Sequence, residues 1–159
     1  MKTLQMDEAT ARKIYPTAAP ELKAILEESF GKQFFSQKMI DIINSFEDAL
    51  LFKGKSASDV YGTNDTVDEV AYKKMKFIAK VLKGEWKPDY ANENQKKWYA
   101  WFVWDSKKSA FVFANTRCRW TITYATVGSR LSFPDEETAK HFGTKFIGII
   151  NEFLTENPN

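Results

Sequence analysis

Residues 98–124 read WYAWFVWDSKKSAFVFANTRCRWTITY, and the fold class turns on how this stretch divides. Trp98–Trp104 is a run of large residues that stops at Asp105-Ser106-Lys107-Lys108-Ser109, which is the pattern of a strand closed by a polar turn. Ala110–Asn115 predicts a second strand. Arg117–Tyr124 alternates, with Cys118, Trp120, Ile122 and Tyr124 on one side and Arg117, Arg119, Thr121 and Thr123 on the other, and predicts a third. Arg130–Phe133, after Gly128, predicts a short fourth. Short connections favour antiparallel neighbours, so the expectation is a meander of roughly four strands.

Helical patterns flank this stretch. Over 66–83, Val67, Val70, Ala71, Met75, Ile78, Val81 and Leu82 share one side of a helical wheel, while Lys73, Lys76, Lys80 and Lys83 line the other. Gly84 ends that helix, and Trp86, Pro88 and Tyr90 fall in a connecting loop. Downstream, Asp135 is placed to cap a closing amphipathic helix whose buried stripe is Ala139, Phe142, Phe146, Ile149, Ile150 and Phe153. A sheet with one apolar face needs a cover, and these two helices supply it.

The first 64 residues read as helical. Residues 7–14 predict a short helix ending before Pro16. Pro20 and Glu21 open another, with Leu22, Ile25, Leu26 and Phe30 as its stripe and Gly31 as its stop. Ser45 with Asp48 resembles a capping sequence for a helix closing at Gly54, and 55–64 reads as loop. The whole is an α+β chain of 159 residues in a single domain, a helical part over 1–64 followed by helix, meander and helix over 66–154.

Composition narrows the function classes. Hydrophobic residues make up 43% and charged residues 28%, which excludes a disordered chain. The single cysteine, Cys118, precludes an intrachain disulfide, and no apolar run reaches the length of a membrane span. The opening MKTLQMDEATARKIYP has no apolar leader, so a cytoplasmic protein without membrane association is expected.

Little points to catalysis. One His and one Cys do not make a zinc site, and no glycine-rich phosphate loop or acidic calcium loop occurs, so no cofactor or metal is expected. His141 lies on the polar side of the last helix, where an exposed role is the plain reading. Cys118 shares a strand side with Trp120 and Ile122 and reads as a buried, inert thiol. The pairs Glu27-Glu28 and Glu47-Asp48 read as solvated helix faces. Two carboxylates converging in space for hydrolysis remain a third-ranked alternative.

Charge is the strongest functional signal. Residues 71–134 carry 13 Lys and Arg against 4 Asp and Glu, whereas both flanking segments are acidic, and all 5 tryptophans fall between positions 86 and 120. Arg117, Arg119 and Arg130 occupy the sheet, where guanidinium groups make planar contacts that lysine does not. The candidate binding surface is therefore Trp98, Trp101, Trp104, Arg117, Arg119 and Arg130, with Lys73, Lys76 and Lys80 beside it. Both sides of Trp98–Trp104 are apolar. Either both are covered, which is the structural explanation and the favoured one, or one exposes its rings. Exposed rings beside cations suit a protein partner first, since Trp, Tyr and Arg dominate interface hot spots. Single-stranded nucleic acid comes second, because bases stack on such rings.

Several segments form a recurrent pattern: Trp98-Tyr99-Ala100-Trp101-Phe102, Arg119-Trp120, Val127-Gly128-Ser129-Arg130-Leu131-Ser132-Phe133, Glu137-Thr138-Ala139 and Phe146–Phe153. The pattern resembles that of small hypothetical proteins of Bacteroides phages and prophages, a family without an assigned activity. Ala19–Lys23 and Phe30–Lys32 are similar to a segment found there too. The resemblance implies a mobile-element origin and supplies no catalytic residues. The expectation is a non-catalytic phage or prophage accessory protein that binds a macromolecule through a basic, aromatic sheet surface.

Overall fold

The structure, a computed structural model, describes residues 6–156. Residues 1–5, part of the opening stretch in which no leader was expected, lie outside the described residues. Short helices come first: α1 (Glu8–Ile14), α2 (Pro20–Phe30), α3 (Lys32–Ser36), α4 (Met39–Ile42) and α5 (Phe46–Lys53). The long α6 (Val67–Lys83) follows, then strands β1 (Lys97–Asp105) and β2 (Ala110–Arg119), and finally α7 (Glu136–Lys145) and α8 (Ile147–Leu154). Among the described residues, no helix is long and apolar enough to cross a membrane.

Local chemistry explains the helix starts. Asp7, Ser45 and Asp135 each accept the N–H three residues on, from Thr10, Asp48 and Thr138. That satisfies a donor the helix itself leaves unpaired. Thr66 and Glu69 form a reciprocal capping box at α6. Gly54 closes α5 in the left-handed conformation at φ 60°, which costs a glycine little. The stripe expected on α2 buries only Leu26; Ile25 is 58% exposed and Leu22 is exposed as well.

The sheet is a two-stranded antiparallel hairpin and not a four-stranded meander. Asn115-Thr116 carries no glycine and makes no turn. Pairing instead passes from Trp101↔Asn115 to Phe102↔Phe113, so Ala114 is absorbed as a bulge and β2 runs on to Arg119. The expected second strand and the start of the third are thus one strand. Trp120–Tyr124 leaves the ladder. The expected fourth strand is reduced to a single bridge, in which Trp98 and Phe133 exchange backbone hydrogen bonds of 2.9 and 2.7 Å. Asp105 shapes the hairpin turn by accepting from the N–H groups of Lys107 and Lys108.

The core lies between the hairpin and the helices. Met75, Ile78, Val81 and Leu82 of α6 pack with Ile43, Phe46, Phe133, Phe142, Phe146 and Ile150. Gly143 lets α7 press directly on the hairpin. A Cβ there would stand 2.6 Å from the Phe113 ring and 2.7 Å from the Ala100 Cβ.

The single closing helix is two helices that meet at Phe146 (φ −105°, ψ 19°). Just before the break, the Thr144 hydroxyl bonds back to the Lys140 carbonyl, a contact that bends helices. The second half is thereby re-aimed so that Asn151 reaches the edge of β2. Its amide accepts from the Phe111 N–H at 2.7 Å and donates to the Phe111 carbonyl at 2.8 Å. His141 is half-buried and not exposed, its Nε2 lying 2.7 Å from the Ile43 carbonyl. Cys118, expected to be buried, is half-buried.

Candidate functional site

The hairpin divides its side chains between two faces, and the division separates residues that the sequence placed together. Trp98, Ala100, Phe102 and Trp104 lie on the helix side, where Trp98 and Phe102 pack against the core. Trp104, near the turn, stays 51% exposed with its ring edge-on to Phe111. The opposite face carries Lys97, Tyr99 and Trp101 from β1, and Arg117 and Arg119 from β2. Arg117 and Arg119 therefore share a face with Trp101 but not with Trp98 or Trp104.

The cations of that outer face are already engaged. The Arg117 guanidinium lies 4.0 Å from the centroid of the Trp101 ring, a cation–π contact that occupies one side of the indole. Arg119 donates to the Cys118 carbonyl at 2.9 Å and to the Tyr124 hydroxyl at 3.4 Å. The same contact holds the Tyr124 phenol below its ordinary pKa. Tyr124 in turn packs on Tyr99 and Trp101, with centroids 5.9 Å from each. Burial raises the pKa of Tyr99, whose hydroxyl has no hydrogen-bond partner of good geometry. Tyr124, a residue of the segment after β2, thus covers this face in part.

Lys97 is the least expected residue of this face. It is 1% exposed, has no carboxylate partner among the described residues, and donates to the carbonyls of Trp120 (2.6 Å) and Asn92 (3.2 Å). It ties the loop before β1 to the segment after β2. Strand alternation alone gave no signal for it, because a lysine at a strand end usually reads as exposed.

A second basic surface lies on α6. Lys73, Lys76, Lys80 and Lys83 line a groove of about 690 Å³, opposite Lys87 and Arg130 and beside Trp86 and Phe77. Asp59 is the acidic residue of its wall. Lys73 is neutralised by Asp65, with both carboxylate oxygens within 2.7 Å, and this pair holds the Asp65 carboxyl low. Lys83 turns inward, donating to the carbonyls of Ser129 and Arg130 at 2.8 Å, and burial pushes its pKa down to about 8. Lys76 lies 5.0 Å from the Tyr72 ring. Among the described residues, no ion pair engages Lys76, Lys80, Lys87 or Arg130.

The structure thus splits the expected surface. Arg130 joins Lys73, Lys76 and Lys80, while Arg117, Arg119 and Trp101 form a separate cluster. Lys83 was legible as the next member of the α6 stripe. Lys87 and Trp86 were not, because only the turn at Gly84 brings them back across the groove.

An apolar cavity of about 250 Å³ opens beside β1, lined by Ala100, Phe102, Tyr124, Leu131, Phe142 and Ile150 among others. Its lining contains no ionisable acid or base other than tyrosine. The acidic cluster at the start of α7 is engaged elsewhere: Asp135 caps the helix, Glu136 accepts from the Thr116 hydroxyl, and Glu137 pairs with Lys38. No group of three metal-ligating side chains is found among the described residues. No family model, no curated protein and no solved structure matches this chain.

Proposed function

We propose that this chain is a non-catalytic accessory protein of phage or prophage type that binds a macromolecular partner through its basic, aromatic surface. The contact lies in the α6 groove, and the partner is a protein presenting an acidic segment. One observation carries the reading: Lys76, Lys80, Lys87 and Arg130 converge on one groove without ion-pair partners among the described residues. Converging unpaired cations create a positive potential that attracts and orients anionic groups. The mobile-element origin rests on the pattern around Val127–Phe133.

A fluorescent poly-glutamate peptide, titrated at low and moderate ionic strength, tests this. Saturable binding that weakens with salt and quenches or shifts Trp86 emission is expected. An absence of binding at low salt would overturn the proposal.

The second reading is single-stranded nucleic acid. It is favoured by Trp120 and Tyr124, whose rings are exposed on either side of the loop that leaves β2. It is disfavoured at Trp101, because Arg117 already occupies a side of that ring. An oligo-dT titration under the same conditions ranks the two, since tighter binding of the oligonucleotide would favour this second reading.

A further inference from the structure

The β1 edge of the hairpin borders the apolar cavity. Trp98 bonds Phe133 through both its N–H and its C=O, which therefore point away from β2. The bulge lies on β2, so β1 keeps its regular alternation, and Ala100 and Phe102 turn their backbone groups to the same side as Trp98. Both residues are half-buried, and both line the cavity of about 250 Å³, which sets them against Tyr124, Thr126, Val127 and Leu131. That wall encloses the edge without pairing it. Among the described residues, no hydrogen bond reaches the outward backbone groups of Ala100 or Phe102. Tyr99 belongs to the same lining; it is 3% exposed, and its hydroxyl lacks a partner too. Buried polar groups are ordinarily paired, so several unpaired ones around a single cavity call for partners supplied from within it.

Each property of the cavity narrows what can supply them. Its lining holds no ionisable group other than tyrosine, and burying a charge there would be costly, so the guest is uncharged. A volume of about 250 Å³ exceeds the roughly 150 Å³ of a cavity that holds benzene and falls short of the roughly 300 Å³ at which drug-sized sites begin. That space fits two fused rings. Tyr99, Trp101, Phe102, Tyr124, Phe142 and Phe153 supply aromatic walls, which favour a flat aromatic guest. The carbonyl of Ala100 and the N–H of Phe102 are successive outward groups of one strand, and they require a donor and an acceptor side by side.

We propose that this cavity is a binding site for an uncharged bicyclic heteroaromatic of lactam type. Its N–H donates to the Ala100 carbonyl, and its C=O accepts from the Phe102 N–H. The ligand thereby makes the two hydrogen bonds that a neighbouring strand would make at this point of the edge. The site is separate from the α6 groove, with which it shares no lining residue.

Carbostyril, a two-ring lactam, is the probe, titrated into the full chain by calorimetry and followed through amide NMR shifts. Saturable one-to-one binding is expected, with the largest amide shift at Phe102. Quinoline and N-methylcarbostyril keep the rings but lack the N–H donor. Each should bind roughly tenfold more weakly, the effect of leaving one buried acceptor unpaired. Val127→Trp, which fills the cavity, should abolish carbostyril binding with an unchanged far-UV spectrum. Should that variant fail to fold, the ligand series on the parent chain decides. An absence of saturable carbostyril binding would overturn the proposal. So would equal affinities across the series, shifts that leave Phe102 untouched, or a folded Val127→Trp that binds as well as the parent.

Discussion

The outer face of the hairpin and the α6 groove are both basic and both carry aromatic rings, yet they use their charges in opposite ways. On the hairpin, Lys97 holds two carbonyls, Arg119 holds a carbonyl and a phenol, and Arg117 lies over an indole. In the groove, Lys76, Lys80, Lys87 and Arg130 make no ion pair among the described residues. Positive charge along a chain therefore does not by itself mark a binding surface. A cation whose hydrogen bonds are used internally contributes to stability, and one left facing solvent contributes to attraction of a partner.

The contrast is sharpest where a hairpin cation is removed. Lys97→Met keeps the buried stem but leaves the carbonyls of Asn92 and Trp120 without their donor. Urea unfolding should show a loss of about 1–3 kcal/mol, the cost of leaving part-buried acceptors without their donor, with little change in peptide binding. Unchanged stability would break the comparison.

Reversing the groove is the complementary experiment. Lys80→Glu with Arg130→Glu should weaken poly-glutamate binding roughly tenfold, about 1.4 kcal/mol, while the melting temperature stays near that of the parent. A melting temperature that falls with the affinity would mean that these cations are structural too.

Arg117→Ala probes the middle ground. Loss of its stacking on Trp101 should cost about 0.5–1 kcal/mol of stability and leave peptide affinity unaltered. A selective loss of affinity would return the contact surface to the sheet.

The smallest effect expected is that of pH on Lys83. Its pKa is depressed to about 8 by burial, so the ammonium is present below that pH and lost as pH rises through it. Peptide affinity should fall by roughly two- to threefold between pH 7 and 9, the weight of one partly screened charge. In Lys83→Met that step should vanish.

Much of the architecture was legible because it rests on contacts a few residues apart. Ser45 and Asp135 were identifiable as helix starts from their own neighbours, and the stripe from Val70 to Leu82 marked the central helix. The strand count was misjudged at Asn115-Thr116, where alternation is interrupted. A bulge and a turn interrupt alternation alike, and only the pairing partner, here Trp101 and Phe102, distinguishes them. Of the candidate site, the lysine stripe and Arg130 proved to share a groove. Arg117 and Arg119 did not belong with them, because the sequence does not show which charges are consumed by Trp101, Cys118 and Tyr124.

From its sequence alone, this protein is an α+β chain with an amphipathic central helix, an aromatic antiparallel sheet and a concentration of positive charge in its middle third. Those features follow from hydrogen bonds and side-chain periods that span three or four residues. The tertiary structure decided that the hairpin stops at two strands, that the closing helix breaks at Phe146, and that basic residues divide into engaged and unengaged sets. Each of these depends on groups brought together from distant positions, such as Asn151 with Phe111 or Lys97 with Trp120, whose meeting is a property of the packed chain.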